Sequence, residues 1–304
     1  MSKNQLNKLY NELDEAYADD LASTLGRTSK KRQSKRQEMD ARLFVRAQEA
    51  AGEFKFTYKA ARFEEAWLLD SLNEIAGQQL ISDVLRKVKA GKEASVYLCR
   101  SGSSIDTRLI AAKVYRPRTL RNLKNDAIYR TGRIDLGEDG AALFKEADVP
   151  KPYAMEKNAI LMGFVGDLDL AAPTLNSVTL DPDEARPLFE RVVLNVDLLL
   201  QKKRIHGDLS AYNILYWDGD ITLIDFPQVV DPEANPSAWM IFQRDVTRVC
   251  QYFESQGVKV NARTLAAELW TSHGHKVIRD ADPRYLDADD RADRQLWEKQ
   301  KNVR

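Results

Sequence analysis

At 304 residues and 43% hydrophobic content, the chain is long enough for one large or two modest domains, each with a real core. Its 46 basic residues balance 46 acidic ones, so the global field predicts no nucleic-acid partner, and no apolar run approaches the ~18 residues that span a bilayer, so no membrane is expected. Met1–Gln5 lacks the apolar region of a signal peptide, which makes the cytoplasm the expected compartment, and two cysteines, Cys99 and Cys250, exclude a disulfide framework or zinc spacing.

In chain order, residues 1–55 read as a charged, poorly ordered extension. Within it, residues 27–36 hold six basic residues in ten. That run is either a solvated tail or an RNA-contacting arm, since phosphate neutralisation needs only clustered Lys and Arg; no aromatic residue interleaves it to stack a base. From Arg62 to Leu80 the apolar positions Phe63, Ala66, Trp67, Leu72, Ile75 and Ala76 follow helical spacing. A segment Ile81–Val88 then leads into a small-residue turn at Gly91, and Lys89–Cys99 reads as that turn followed by a strand. Leu109–Tyr115 reads as a second strand with one lysine, Lys113, among apolar residues. A buried ammonium needs an anion, so a phosphate or a carboxylate is implied; on an edge strand the lysine would instead snorkel into water.

After Lys113 comes a basic stretch, 116–135, and then Leu136–Asp148, where Gly137 and Gly140 oppose a helix start and leave about two turns. Val149–Tyr153 and Ala159–Met162 read as strands, with a turn at 163–166. From Asp183 to Lys203, Ala185, Leu188, Phe189, Val192, Val193, Val196, Leu199 and Leu200 repeat at three and four, which is a core helix stripe. Ile214–Tyr216 and Ile221–Ile224 read as a hairpin around the turn signal Asp218-Gly219. A helix through Trp239, Phe242, Val246, Val249, Cys250 and Phe253 follows, with Asp245 off its apolar face as a structural carboxylate for loop backbone. Leu265–Trp270 is a last short helix; His273 and His275 read as loop, and residues 275–304 as a charged tail.

The chemistry lies in His206-Gly207-Asp208-Leu209-Ser210-Ala211-Tyr212-Asn213 and, twelve positions after that asparagine, Asp225. Phosphotransfer of the protein-kinase type needs an aspartate beside the attacking group, an asparagine five residues on for metal, and a second aspartate after a short hairpin. All three stand here at that spacing, and the hairpin would return Asp225 to the side where Asn213 points.

Four segments carry a family resemblance: Gly91-Lys92-Glu93-Ala94-Ser95-Val96-Tyr97, Ala112-Lys113-Val114-Tyr115, the His206–Asn213 run, and Ile224-Asp225-Phe226-Pro227-Gln228. Together they resemble the RIO family of atypical protein kinases over roughly residues 80–255. Ordinary kinases have three glycines in the phosphate loop, His-Arg-Asp, and Asp-Phe-Gly; this chain has Gly-Lys-Glu-Ala, His-Gly-Asp, and an aspartate with no glycine after it. The resemblance implies an α+β fold of two lobes, a small β-rich lobe at 56–162 and a helical lobe at 167–274 joined by a hinge at 163–166. It implies ATP with Mg2+ or Mn2+, and either serine/threonine protein kinase activity or an ATPase cycle through an aspartyl phosphate. A protein substrate or a ribosomal particle is the implied partner, with the basic run as a possible arm toward it.

The same resemblance assigns roles. Lys113 would meet the α- and β-phosphates, with Lys92, Ser95 and Val96 in the glycine turn beside them. Adenine would stack under Met162 and bond backbone around Phe164 and Val165. Asn213 and Asp225 would hold metal, Asp208 would orient the acceptor hydroxyl or water, and Asp225 could itself accept phosphate. Members of the family carry a full helix whose glutamate pairs with the strand lysine; here Glu138 is the nearest candidate and Glu146 the next. A scaffold that binds nucleotide without catalysis, and a small-molecule kinase, are the competing functions.

Overall fold

A computed structural model describes residues 54–91, 94–115, 146–156, 158–226 and 229–277. The chain divides into two compact units at Gln78/Gln79. In the first, helix α1 (Arg62–Gly77) buries Trp67, Leu68, Leu72 and Ile75 on one face. It stops three residues short of the sequence expectation, where Gln78 caps the helix and Gln79 takes a left-handed backbone at φ 58.

The second unit opens with a five-stranded antiparallel sheet: β1 (Ile81–Ala90), β2 (Ala94–Ser101), β3 (Leu109–Tyr115), β4 (Pro152–Glu156) and β5 (Ala159–Gly163), in the order β1-β2-β3-β5-β4. β4 begins three residues later than the sequence suggested. Pro150 and Pro152 flank that start, and a proline cannot donate to a ladder, so Pro152 takes the first position of an edge strand. β3 lies at the centre of the sheet with β2 on one side and β5 on the other. Its Ile110, Ala112 and Val114 are buried, and Cys99 on β2 is buried beside them.

The helical part follows: α2 (Pro182–Gln201), a hairpin of β6 (Ile214–Trp217) and β7 (Asp220–Leu223), α3 (Ala238–Ser255) and α4 (Ala262–Ser272). α2 starts on Pro182, whose missing N–H costs nothing in a first turn. Its stripe Leu188, Val192, Val196, Leu199 packs with Val246, Val249 and Phe253 of α3 in one hydrophobic core, and Phe189 meets Phe253 edge-on at 5.3 Å. Asn261 caps α4 by accepting the Thr264 N–H. This is the α+β order expected from the motifs, a β-rich lobe and then a helical lobe. No helix among the described residues is long and apolar enough to cross a membrane. The charged runs at 27–36 and 278–304 and the segment 116–145 lie outside the described residues.

Candidate active site

The loop that follows α2 is built backbone first. Ile205 and Val230 exchange two hydrogen bonds, 3.0 and 3.1 Å, which fixes the loop's entry. Gly207 then takes φ 84, a region open to glycine at no steric cost. Its N–H donates to Asp245 Oδ2 at 2.8 Å, so the carboxylate expected to bond loop backbone does so. Asp245 is buried; loss of hydration raises its carboxyl to about 6, against the opposing pull of the Arg244 guanidinium and the loop N–H groups.

His206, also buried, links the two halves of the motif. Its Nε2 lies 3.0 Å from the Ile224 carbonyl, and its Nδ1 accepts the Asp208 N–H at 3.3 Å. A carbonyl can only accept, so the proton resides on Nε2 and the ring is neutral. Burial holds its pKa below the ordinary value, in spite of the Ile224 carbonyl and the nearby Asp225 and Asp208. The Phe226 ring packs against it at 4.5 Å.

Asn213 ends a 3-10 turn, Ala211–Asn213, and donates through Nδ2 to the Asp208 carbonyl at 2.8 Å. Its Oδ1 is thereby the end left to accept. The β6–β7 hairpin closes on Asp218 (φ 52) and Gly219 (φ 78), both left-handed as a two-residue turn of this kind needs. Ile224 N–H then returns to the Asn213 carbonyl at 2.9 Å, which sets Asp225 beside Asn213. Asp225 itself sits at φ 69, a conformation that aspartate tolerates better than most residues.

From the sheet, Lys113 reaches Asp225 with Nζ 2.7 Å from Oδ1. The lysine side chain is 15% exposed and the carboxylate 40%. Because β3 is central, the edge-strand alternative for Lys113 does not hold, and the anion that a buried ammonium needs is the Asp225 carboxylate. Glu146 is not the lysine's partner; it pairs with Lys202 at 3.4 Å, because the segment that carries it docks on α2 instead of facing β3. Asp148 two residues on takes both fork nitrogens of Arg191 and the Asn195 amide. Glu138 and Lys92 lie outside the described residues.

Across the sheet, Val96 and Ile160 flank Lys113 in register, and Met162 pairs with Ala111. Ser95 is buried in β2. The segment expected to be a hinge is bonded on both sides of Phe164: Gly163 N–H donates to Lys151 O at 2.8 Å, and Val165 O accepts the Ala172 N–H at 3.0 Å. Gly166, at φ 126, has no room for a side chain, since a Cβ there would meet Leu170 O at 2.5 Å. His273 bonds Asp197 at 2.8 Å and His275 stacks on Trp270 at 4.5 Å, so each is used within the fold. The thiols of Cys99 and Cys250 are pushed up by burial and are not nucleophiles at neutral pH.

Sequence reasoning missed Arg248. Its Nη1 lies 2.9 Å from Asp208 Oδ1, while Asn213 Nδ2 lies 3.4 Å from Oδ2. The available signal was spacing: Arg248 follows Asp245 by one helical turn, so an Asp245 that serves the loop brings Arg248 to the same end of α3. As a set, Asp225 and the acceptor end of Asn213 offer hard oxygen ligands, the type that Mg2+ takes one or two at a time alongside phosphate oxygens and water.

The RIO domain family model matches residues 141–265, a span that holds Asp208, Asn213, Asp225 and Arg248 but begins after Lys113. The chain is 29% identical over 196 residues to the RIO-type serine/threonine-protein kinase Rio1 of Haloferax volcanii, covering 59% of this chain and 66% of that protein. It is 28% identical over 222 residues to Rio1 of Methanocaldococcus jannaschii, covering 67% and 73%. To the RIO-type kinase Rio2 of the same organism it is 35% identical over 113 residues, covering 37% and 41%. The chain thus spans about two thirds of its Haloferax relative and less of Rio2. Motif and comparison agree on one relationship: this chain is similar to the RIO-type serine/threonine-protein kinases, with its RIO domain match at residues 141–265.

Proposed function

We propose that the protein transfers the terminal phosphoryl group of ATP, with a divalent metal ion, as a serine/threonine protein kinase or an ATPase of RIO type. The observation that carries this reading is the convergence of Lys113 from β3, Asp208 and Asn213 from the 206–213 loop and Asp225 from the end of the hairpin, with Lys113 2.7 Å from Asp225 and Asn213 2.8 Å from the Asp208 backbone. Bound Mg2+ or Mn2+ would neutralise phosphate charge, held by Asp225 and Asn213 Oδ1. Lys113 would give Nζ to the α- and β-phosphates, and Asp208 would take the proton of the attacking hydroxyl or water. Most of the rate would come from placement and electrostatics, since phosphoryl transfer needs little covalent help. Adenine would lie by Met162 and the 163–165 backbone.

The resting Lys113–Asp225 pair makes the test sharper. Lys113 engages Asp225 through Oδ1 alone, so Asp225 would offer its other oxygen to a metal ion, and metal at Asp225 would loosen its hold on the lysine. Calorimetric titration of ATP with and without magnesium reads this directly. In the parent, magnesium should raise affinity by about tenfold or more, roughly 1.4 kcal/mol. That gain should vanish in Asp225→Ala and persist in Asp208→Ala. Equal behaviour of the two variants, or binding by the parent that ignores metal, would overturn the assignment. Labelled ATP then separates an enzyme, which transfers or releases phosphate, from a scaffold that only binds.

A further inference from the structure

We propose that Arg248 is a catalytic residue, presenting its guanidinium to the phosphoryl group in transfer while the Asp208 carboxylate anchors it. The assignment rests on the phosphotransfer reading above and names the cation that reading leaves out. Charge on the phosphoryl oxygens during transfer calls for a positive group at the acceptor side as well as at the α- and β-phosphates. The run His206–Asn213 contains no lysine or arginine. Lys113, Arg244 and Arg248 each contact this run or Asp225. Lys113 belongs to Asp225. Arg244 gives Nη2 to both the Gly207 carbonyl and the buried Asp245, so it is committed beneath the loop.

Arg248 is placed differently. It stands one turn after Asp245 on α3, which is locked to Gly207 N–H at 2.8 Å, so its backbone is fixed relative to Asp208. Its side chain is 42% exposed and that of Asp208 47%, so the pair lies at the open side of the loop. Only Nη1 engages Asp208, at 2.9 Å, whereas a guanidinium carries five N–H donors in a planar fork suited to phosphate oxygens. One edge of the fork can hold Asp208 as another holds phosphate.

The step balances as follows. An acceptor oxygen attacks the γ-phosphorus of ATP, and its proton passes to Asp208. The bond from that phosphorus to the β,γ-bridging oxygen breaks, and ADP leaves with the electron pair. As Asp208 takes up the proton its pull on Arg248 drops, which frees the guanidinium for the oxygens of the transferring phosphoryl group. Arg248 therefore turns from a carboxylate partner into a phosphate partner without leaving the site.

An ion pair this exposed contributes little to folding, so Arg248→Ala should fold, as checked by an unchanged thermal midpoint. The full chain with magnesium and labelled ATP gives the readout. Arg248→Ala should lower kcat by about 100-fold or more, within the range known for arginines at transferring phosphoryl groups, while ATP affinity stays within about threefold of the parent. Arg248→Lys should recover part of the loss, and millimolar guanidinium ion added to Arg248→Ala should restore turnover in a saturable way. A structural role would not respond to added guanidinium. Turnover by Arg248→Ala within threefold of an active parent, or a loss that guanidinium does not reverse, overturns the assignment alone. A parent with no turnover overturns it together with the phosphotransfer reading.

Discussion

His206 and Asp245 are adjacent buried titratable groups whose protonation acts on the fold in opposite directions. The folded pKa of His206 lies below its ordinary 6.5, so the unfolded chain binds its proton first. Its contribution to stability is therefore full above pH ~6.5 and is lost as pH falls below that value. Asp245 rises from 3.8 to about 6 in the fold, so there the folded chain binds the proton first, and acidification from 6 toward 3.8 favours the folded state. Between pH 6 and 5 the two partly cancel. Replacing Asp245 by Asn removes one side of that balance, and thermal midpoints of Asp245→Asn should fall more steeply between pH 7 and 5 than those of the parent. Parallel slopes would show that Asp245 does not titrate there. Asp148 stays out of this window; burial would raise its carboxyl, but the Arg191 and Asn195 hydrogen bonds outweigh burial and hold it below 3.8. At this scale the sequence singles out Asp208, Asn213 and Asp225, because the chemistry they would serve fixes their spacing. For Arg248 it offered only the one-turn spacing from Asp245, because an ion pair between a loop and a helix 40 residues on exists only once that helix has docked.

Among the elements, the link between sheet and α2 is carried by residues that periodicity alone passes over. Asn195 interrupts the apolar stripe of α2, between Val192 and Val196, and is almost wholly buried. It accepts the Asp148 N–H at 2.7 Å and donates to Asp148 Oδ2 at 2.7 Å and to Arg191 O at 2.8 Å. A polar residue on a core face was the legible sign of a partner elsewhere in the chain, although the partner's identity was not. Asn195→Ala should cost about 2–3 kcal/mol in urea unfolding, because it empties a buried site and strands a half-buried N–H and part of a carboxylate. Arg191→Ala, on an exposed side chain, should cost less than half as much. Phe253→Ala, which empties a fully buried site against Phe189, should cost about 3–5 kcal/mol. Equal losses for Asn195→Ala and Arg191→Ala would show that the ion pair, not the amide, holds this junction. β4 illustrates the limit of periodicity differently: alternation placed a strand near Val149, but the prolines decided where its ladder could begin.

For the whole molecule, the β-rich then helical order was implied by the motifs and their family resemblance, whereas the strand order β1-β2-β3-β5-β4 depends on pairings between distant segments that no local pattern encodes. The central place of β3, and with it the burial of Lys113, came from that pairing. The first unit raises a question of extent. Phe54 is buried and lies 5.9 Å from the Phe56 ring, so a truncation at residue 55 would cut into packed structure. Deleting residues 1–53 should leave ATP turnover within about twofold, since nothing in the chemistry of the site calls on them; a loss of tenfold, ~1.4 kcal/mol in barrier, would show that this stretch completes the site.

The segment bearing Asp225 is held on both flanks, by Ile224 O on His206 and by Val230 on Ile205, with Phe226 packed on the same imidazole. For inhibitor design this closes one route and opens another. A compound that gained affinity by displacing this aspartate from Lys113 and turning its segment outward would have to break the imidazole contact and strip Phe226 from its ring, so scaffolds built to trap an everted loop should find no foothold. Selective compounds would instead keep the loop in place and compete for the lysine, offering Lys113 a carboxylate or phosphonate in exchange for the one it already holds.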